Sequence, residues 1–272
     1  MDKKIIQLIC PDQKGIISKL TSILYKTNHN ILSIQQHIDK EKEKFYIRVS
    51  VDLKSEINFP EKELFDLNRN LNGEMYLFDS NEKINVAILG TKESEPIYDL
   101  LIKNKSSELK CNFPIIISNH INLSAVAKQF NVDFYKTEND KQLLEILEKN
   151  NIDLVVLARY MQIIPDYIVK LYKNNIINIH HGFLPAFKGS KPYHQAYNKG
   201  VKLVGATAHY VTSELDEGPI ICQDTVQINH KHSINNIIQL GREIEKNVLY
   251  KAVKSHLDYK VIVHDNKTII FD

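Results

Sequence analysis

The chain has 272 residues, of which 43% are hydrophobic and 25% charged, a balance typical of globular proteins and long enough for two domains. Its formal net charge of +2 creates no strong field toward nucleic acid or an anionic membrane surface, so we expect neither as a partner. The first apolar run ends at Pro11 and Asp12 and is too short for a signal peptide or a membrane span. We therefore expect a cytoplasmic protein.

The three cysteines, Cys10, Cys111 and Cys222, are far apart and odd in number. This pattern suggests neither a disulfide framework nor a thiolate zinc site. We expect buried, unreactive thiols in a reducing compartment.

Residues 1–80 predict a small domain with the order β-α-β-β-α-β. Ile16, Leu20 and Leu24 recur at helical spacing, and Pro60 is suited to open a second helix. The strand-like runs are 3–10, 31–39, 45–53 and 75–78. This order is the ferredoxin-like plan.

A polar linker at 81–83 precedes a second domain at 84–272, in which strand-like and helical runs alternate. The strand-like runs are 84–89, 113–117, 132–134, 154–157 and 176–179, with a helical run after each of them except the last. This alternation predicts an α/β fold with a doubly wound, mostly parallel sheet. Two later runs, 203–211 and 220–228, are predicted to be antiparallel. A helix over 235–249 and a terminal hairpin complete the predicted domain.

Polar side chains cluster at the end of the predicted strand at 176–179. Alternate residues of a strand share a face, so Asn178 and His180 are predicted to point one way and His181 the other. Open α/β sheets place their sites at the carboxyl ends of their strands. Asp216, between the two later strands, lies in a loop able to reach this edge.

Acyl transfer requires a proton carrier, an oxyanion donor and an orienting carboxylate. His180, Asn178 and Asp216 supply one of each, although the same residue types also serve as ordinary strand-end and turn residues. The adjacent histidines suggest a metal site, but their predicted divergence and the lack of H-E-x-x-H spacing oppose it.

Five segments of the second domain resemble the formyltetrahydrofolate-dependent formyltransferase superfamily and, within it, the 10-formyltetrahydrofolate deformylases. The segments are Leu157–Met161, Asn178–Gly189, Lys191–Tyr197, Gly205–Val211 and Leu215–Ile221. The resemblance implies hydrolysis of 10-formyltetrahydrofolate to formate and tetrahydrofolate, with no permanently bound cofactor and no metal.

The resemblance also implies roles for individual residues. Asn178 would bind the formyl oxygen, His180 would stabilise charge or shuttle a proton, and Asp216 would keep His180 charged and help the attacking water. Whether His180 or Asp216 is the base stays open. The implied substrate-binding residues are Met161, Gln162, Ile163, Ile164, His209, Thr212 and Leu215. Gly182 and Gln162 depart from the family, which commonly has Ser and sometimes Arg at these positions.

In the first domain, Cys10–Ile16 and Asn28–Leu32 resemble an ACT domain. ACT domains commonly bind small amino acids and mediate association, so the resemblance implies an amino-acid effector and a homo-oligomer. The implied effector-binding residues are Asp12, Gly15, Asn28 and Asn30.

Two alternatives use the same three polar residues. A glycinamide ribonucleotide formyltransferase needs a Gly- and Ser-rich phosphate loop after the first strand of the second domain. That loop here has a single glycine, and Glu93 and Glu95 would repel a phosphate, although Lys92 partly offsets them. A non-catalytic folate sensor is disfavoured because the three polar residues are all retained.

Overall fold

The computed structural model describes residues 2–53, 58–187, 189 and 191–272. It divides into two compact units. The first is Met1–Glu82 with Asp258–Ile262 and Ile269–Asp272, and the second is Lys83–Leu257 with Val263–Thr268. The domain bounds 1–80 and 84–272 stay a prediction, and two short C-terminal segments group with the first unit. Lys188, part of the run Asn178–Gly189 quoted above for its resemblance, lies outside the described residues.

The first unit is a four-stranded antiparallel sheet with two helices. Its elements are β1 (Lys3–Pro11), α1 (Ile16–Lys26), β2 (Ile31–Asp39), β3 (Lys44–Asp52), α2 (Glu61–Asn70) and β4 (Glu74–Asp79), and the sheet order is β2-β3-β1-β4. Leu20 and Leu24 of α1 and Leu64 of α2 are fully buried in one cluster with the sheet. The predicted ferredoxin-like order is confirmed.

The second unit is a seven-stranded sheet flanked by helices. Its elements are β5 (Asn85–Gly90), α3 (Glu95–Lys105), β6 (Asn112–Ser118), α4 (Ser124–Phe130), β7 (Asp133–Lys136), α5 (Asp140–Lys149), β8 (Leu154–Leu157), α6 (Asp166–Leu171), β9 (Ile176–His180), α7 (Pro192–Lys199), β10 (Leu203–Tyr210), β11 (Ile220–Gln227) and α8 (Ile234–Leu257). A 3₁₀ turn at Ile121–Leu123 precedes α4. The sheet order is β11-β10-β9-β8-β5-β6-β7.

The five central and distal strands from β9 to β7 are parallel, whereas β10 is antiparallel to both β9 and β11. The predicted mostly parallel, doubly wound sheet is therefore confirmed. After β5 the chain continues to one side, through β6 and β7, and it returns to β8 on the other side. This reversal places a topological switch point at the carboxyl ends of β5 and β8, where open α/β sheets bind ligands.

Two elements at the end of the chain complete the description. Strands β12 (Val261–His264) and β13 (Lys267–Ile270) form the predicted terminal hairpin. Within the first unit, Arg48 donates from Nε to the carbonyl of Tyr259 (2.7 Å) and from Nη2 to that of Asp258 (2.9 Å). Ile262 and Phe271 are buried there as well.

No helix in the described part of the chain combines the length and the apolar character that crossing a bilayer requires.

Candidate active site

The three residues singled out by sequence meet at the carboxyl end of β9. His180 Nδ1 lies 3.2 Å from Asp216 Oδ2, and both side chains are buried, at 5% and 7% exposure. Asp216 reaches this position from the β10–β11 loop with a left-handed backbone, φ 57°. Asn178 joins the group through His209, because the two residues are cross-strand partners of β9 and β10.

His180 faces hydrogen-bond acceptors on both sides of its ring. Nδ1 points to the Asp216 carboxylate, and Nε2 lies 3.3 Å from the carbonyl oxygen of Phe187. This arrangement suits a doubly protonated, cationic imidazole, in which both ring nitrogens donate. Burial raises the pKa of Asp216, but the hydrogen bond and charge of His180, with His209 and the Gly189 amide, outweigh burial and lower it. The pair is therefore a buried carboxylate hydrogen-bonded to a buried imidazole.

His209 fixes the orientation of Asn178. Burial lowers the pKa of His209, so its ring is neutral at physiological pH. Nδ1–H donates to the Tyr210 carbonyl at 2.9 Å, which makes Nε2 the acceptor. That nitrogen lies 3.2 Å from Asn178 Nδ2, so the Asn178 amide donates one N–H to it. The second amide N–H is left for a ligand in the cavity that Asn178 lines.

The loop after β9 is held in place by hydrogen bonds to the buried Thr207 hydroxyl. Thr207 Oγ1 donates to the carbonyl of Gly182 at 2.9 Å and accepts from the Leu184 amide at 3.0 Å. Gln223 Nε2 donates to the same hydroxyl and to the Leu184 carbonyl, each at 2.9 Å. A Cβ at Gly182 would lie 2.9 Å from Nε2 of His180, so the absence of a side chain here allows the loop to pass close to that ring.

A cavity of about 630 Å³ opens on these residues, a size suited to a small molecule. All of the predicted substrate-binding residues line it, namely Met161, Gln162, Ile163, Ile164, His209, Thr212 and Leu215. Their apolar members include strongly exposed side chains, which is unusual for large hydrophobics and typical of a binding surface. The Met161 amide donates to Thr91 Oγ1 at 2.9 Å, and this bond anchors the wall that follows β8.

The prediction for His181 is wrong. His181 lines the same cavity as Asn178 and His180, and its ring centroid lies 5.5 Å from that of His180. The strand ends at His180, so the alternation of side chains does not extend to the next residue. Burial, Arg159 and His180 lower the pKa of His181 to about 4.

A buried ion pair on the same cavity was not found from sequence. Arg159 Nη1 lies 2.9 Å from Glu245 Oε2, and the Tyr193 hydroxyl donates to Glu245 Oε1 at 2.6 Å. Burial raises the pKa of Glu245, while Arg159 and the Tyr193 hydrogen bond oppose the shift. Tyr193 fits against α8 because Gly241 has no side chain: a Cβ there would lie 2.1 Å from Tyr193 Cζ. The sequence signal for this close packing was Gly241 itself, because a glycine inside a helix often marks a close contact.

The two acidic residues noted in the sequence follow β5: Glu93 lies in the loop, and Glu95 is the first residue of α3. Glu93 Oε1 and Glu95 Oε1 lie 3.3 and 3.8 Å from the guanidinium nitrogens of Arg242. Arg242 also lines the cavity. The Arg242 guanidinium, a group able to neutralise a phosphate, is thus already paired with two carboxylates.

The candidate effector residues lie at two places in the first unit. Asp12 and Gly15 are at the start of α1, where Gly15 has φ 88°, and Asn28 and Asn30 follow its end. All four are exposed. An 11-residue helix separates the two pairs by about 16 Å, so the structure does not bring them together in one cluster.

Among the described residues, no group of three or more His, Cys, Asp or Glu side chains is arranged to hold a metal ion.

Comparison with known proteins places this geometry in a family. The Formyl transferase family model matches residues 84–253, and the ACT domain model matches residues 4–61. A formyltetrahydrofolate deformylase from Synechocystis sp. is 40% identical over 96% of this chain and 96% of its own length. A crystal structure of a formyltetrahydrofolate deformylase from Pseudomonas syringae pv. tomato has a TM-score of 0.96 at 37% identity and covers 100% of this chain and 95% of that one. This chain belongs to the formyltetrahydrofolate deformylase family.

A formyltransferase offers a contrast. The phosphoribosylglycinamide formyltransferase from Anaplasma phagocytophilum is 27% identical, with a TM-score of 0.67, and covers 70% of this chain and 96% of that one. The deformylases therefore match over the whole chain, ACT domain included, and this transferase matches over a part of it. The family predicted from the sequence segments is confirmed.

Proposed function

We propose that this chain hydrolyses 10-formyltetrahydrofolate to formate and tetrahydrofolate. The observation that carries the proposal is the hydrogen-bonded set Asn178, His180 and Asp216 on a cavity of small-molecule size, in a chain whose full-length relatives are named formyltetrahydrofolate deformylase. The substrate enters as a free folate, and no permanently bound cofactor takes part in the proposal.

Charge develops on the formyl oxygen when water attacks the formyl carbon. The free N–H of Asn178 donates to this oxygen, and the His180 imidazolium stabilises its negative charge. Asp216 keeps His180 charged and oriented, because it is a buried carboxylate 3.2 Å from Nδ1. These groups are held by the fold before substrate arrives, so little reorganisation is needed during the reaction.

The pterin ring is proposed to occupy the apolar half of the cavity. The backbone of Met161–Ile164 and of Thr212–Asp216 offers donors and acceptors for the edge of the ring, and Ile163 and Leu215 supply apolar surface. Gln162 is tied to Tyr160 by a hydrogen bond of 2.7 Å from the phenol, so its amide is already oriented.

Transfer of the formyl group to a phosphorylated amine is less well supported. Glu93 in the loop after β5 and Glu95 at the start of α3 lie where a phosphate would bind, and both pair with Arg242. Without an acceptor site, water is the remaining nucleophile.

The first unit is proposed to bind a small amino acid that tunes the activity, and to pair with a second copy of the chain, since ACT domains commonly do both. The exposed N-terminus of α1 at Asp12 and Gly15, or its far end at Asn28 and Asn30, would be the binding place. A panel of amino acids added to the activity assay tests this, with Asp12→Ala and Asn30→Ala as variants. A response that neither variant changes would remove these residues from the proposal.

A cytoplasmic location is also proposed, because hydrolysis of 10-formyltetrahydrofolate is a reaction of one-carbon metabolism.

A formate-release assay with 10-formyltetrahydrofolate, run in chelator with and without glycinamide ribonucleotide, tests the activity. Formate release that is independent of the acceptor supports the hydrolase. Formyl transfer that occurs only with the acceptor would establish the transferase instead, and folate binding without turnover would establish a sensor.

A further inference from the structure

The hydrolysis needs a group that takes a proton from the attacking water. His180 presents both ring nitrogens to acceptors of the protein, Asp216 and the Phe187 carbonyl, so both are already engaged. The Asp216 carboxylate accepts hydrogen bonds from His180 and the Gly189 amide, so its oxygens are already engaged by the protein. Both residues are therefore better suited to stabilise charge than to accept a proton.

His181 differs from His180 and Asp216 because its polar atoms are not engaged by the described residues. Its ring lies between those of His180 and Tyr193, with centroids 5.5 and 6.0 Å away, and it lines the cavity half-buried. Among the residues that the structure describes, neither ring nitrogen of His181 has a hydrogen-bond partner. A half-buried imidazole that lines the cavity with Asn178 and His180, and whose ring nitrogens bond to no described residue, is placed to bind a water molecule.

We infer that His181 is the general base that removes a proton from the attacking water, an inference that rests on the proposed hydrolase function. The water oxygen bonds to the formyl carbon as one of its protons passes to the free ring nitrogen. The carbonyl electron pair moves onto the formyl oxygen, held by Asn178 and His180. When the carbon–N10 bond breaks, N10 takes the proton back from His181. The products are tetrahydrofolate and formic acid, which loses its proton to solvent.

The surroundings of His181 keep the base neutral between turnovers. Arg159 after β8 and His180 on β9 oppose a positive charge on the ring, and Asp216 of the β10–β11 loop favours it. Tyr193 of α7 faces it as a neutral phenol, because burial and Glu245 raise the pKa of that hydroxyl. The ring thus has a free lone pair at neutral pH. As the oxyanion forms nearby, its negative charge increases the proton affinity of His181 at the moment of transfer.

The test is a comparison of His181→Gln with His230→Gln, a matched substitution of an exposed histidine that does not line the cavity. In His181→Gln we expect kcat to fall by about 10²- to 10⁴-fold with KM little changed. Between about pH 6 and about pH 9, the remaining rate should rise roughly tenfold per pH unit, since hydroxide replaces the base. Wild type and His230→Gln should show a flat profile, and imidazole should partly restore His181→Gly.

The outcomes distinguish a wrong role for His181 from a wrong assignment of the hydrolase function. A His181→Gln variant with kcat within about threefold of wild type and a flat profile would overturn the role of His181 while leaving the hydrolase function intact. A wild type that releases no formate would remove the function and the base together. If the variants do not fold, an NMR titration of the histidine rings in wild type still decides. A neutral His181 at pH 7 supports the role, and a protonated one contradicts it.

Discussion

Replacing Asp216 by Asn removes one charge from the site at nearly constant shape. Asp216 Oδ2 lies 3.2 Å from His180 Nδ1, and both groups are buried. At that distance an ion pair is worth about 5 kcal/mol at an effective dielectric constant of about 20. Most of this attraction keeps His180 protonated, and the imidazolium is needed most when the oxyanion forms. We expect kcat to fall by about 10³-fold, equivalent to about 4 kcal/mol in the activation barrier.

The assay follows formate by a coupled dehydrogenase and folate binding by fluorescence. Binding of tetrahydrofolate should stay within about threefold of wild type, since the lost interaction belongs to the transition state. Asp224→Asn is the matched control, because Asp224 is a half-exposed carboxylate that pairs with Lys251 at 3.7 Å on the surface. Turnover of Asp216→Asn at the level of this control would refute the assigned role.

Three further predictions concern stability and geometry. Because the pKa of Asp216 is lowered on folding, its contribution to the free energy of unfolding is complete above about pH 4 and is lost as pH falls through the folded pKa. Acid titrations of the melting temperature should therefore be flatter in Asp216→Asn than in wild type. Gly241→Ala should cost about 1–3 kcal/mol in denaturant unfolding, since its Cβ would lie 2.1 Å from Tyr193 Cζ. His209→Phe should lower kcat by about 10²-fold with little change in KM, because the Asn178 amide loses its partner at 3.2 Å.

Each of these has a matched control or a contrary result. Gln239→Ala, at an exposed position of α8, should leave the unfolding free energy within about 0.5 kcal/mol of wild type. An equally stable Gly241→Ala would show that Tyr193 is not packed as described. Unchanged kcat in His209→Phe would mean that Asn178 is oriented by some other group. If the melting temperature of Asp216→Asn falls with decreasing pH as steeply as that of wild type, the pKa of Asp216 is not lowered on folding.

The fold was largely predictable because each element has a clear hydrophobic period. The buried runs of β5 and β8 are apolar throughout, and that of β6 is apolar up to Ser118, as expected for parallel strands covered on both faces. Helix α7 was not predicted, since its eight residues carry only three buried positions and so show little hydrophobic periodicity. The packing of 258–262 and 269–272 with the first unit has no local signal, because it depends on long-range contacts such as those of Arg48.

The site was predictable where a single strand or loop end presents the residue. Asn178 and His180 follow from strand alternation, and Asp216 follows from the short loop that leads back to the same edge. The direction of His181 was predicted wrongly because alternation stops where the strand stops. Arg159 and Glu245 are 86 positions apart, and no local sequence pattern predicts an ion pair between residues so far apart.

The most direct test of the central claim is hydrolysis in ¹⁸O-labelled water. If water attacks the formyl carbon of 10-formyltetrahydrofolate in this cavity, single-turnover formate should carry one ¹⁸O atom, and glycinamide ribonucleotide should not change that. Formate without label, or formyl groups recovered only on the added amine, would contradict the account.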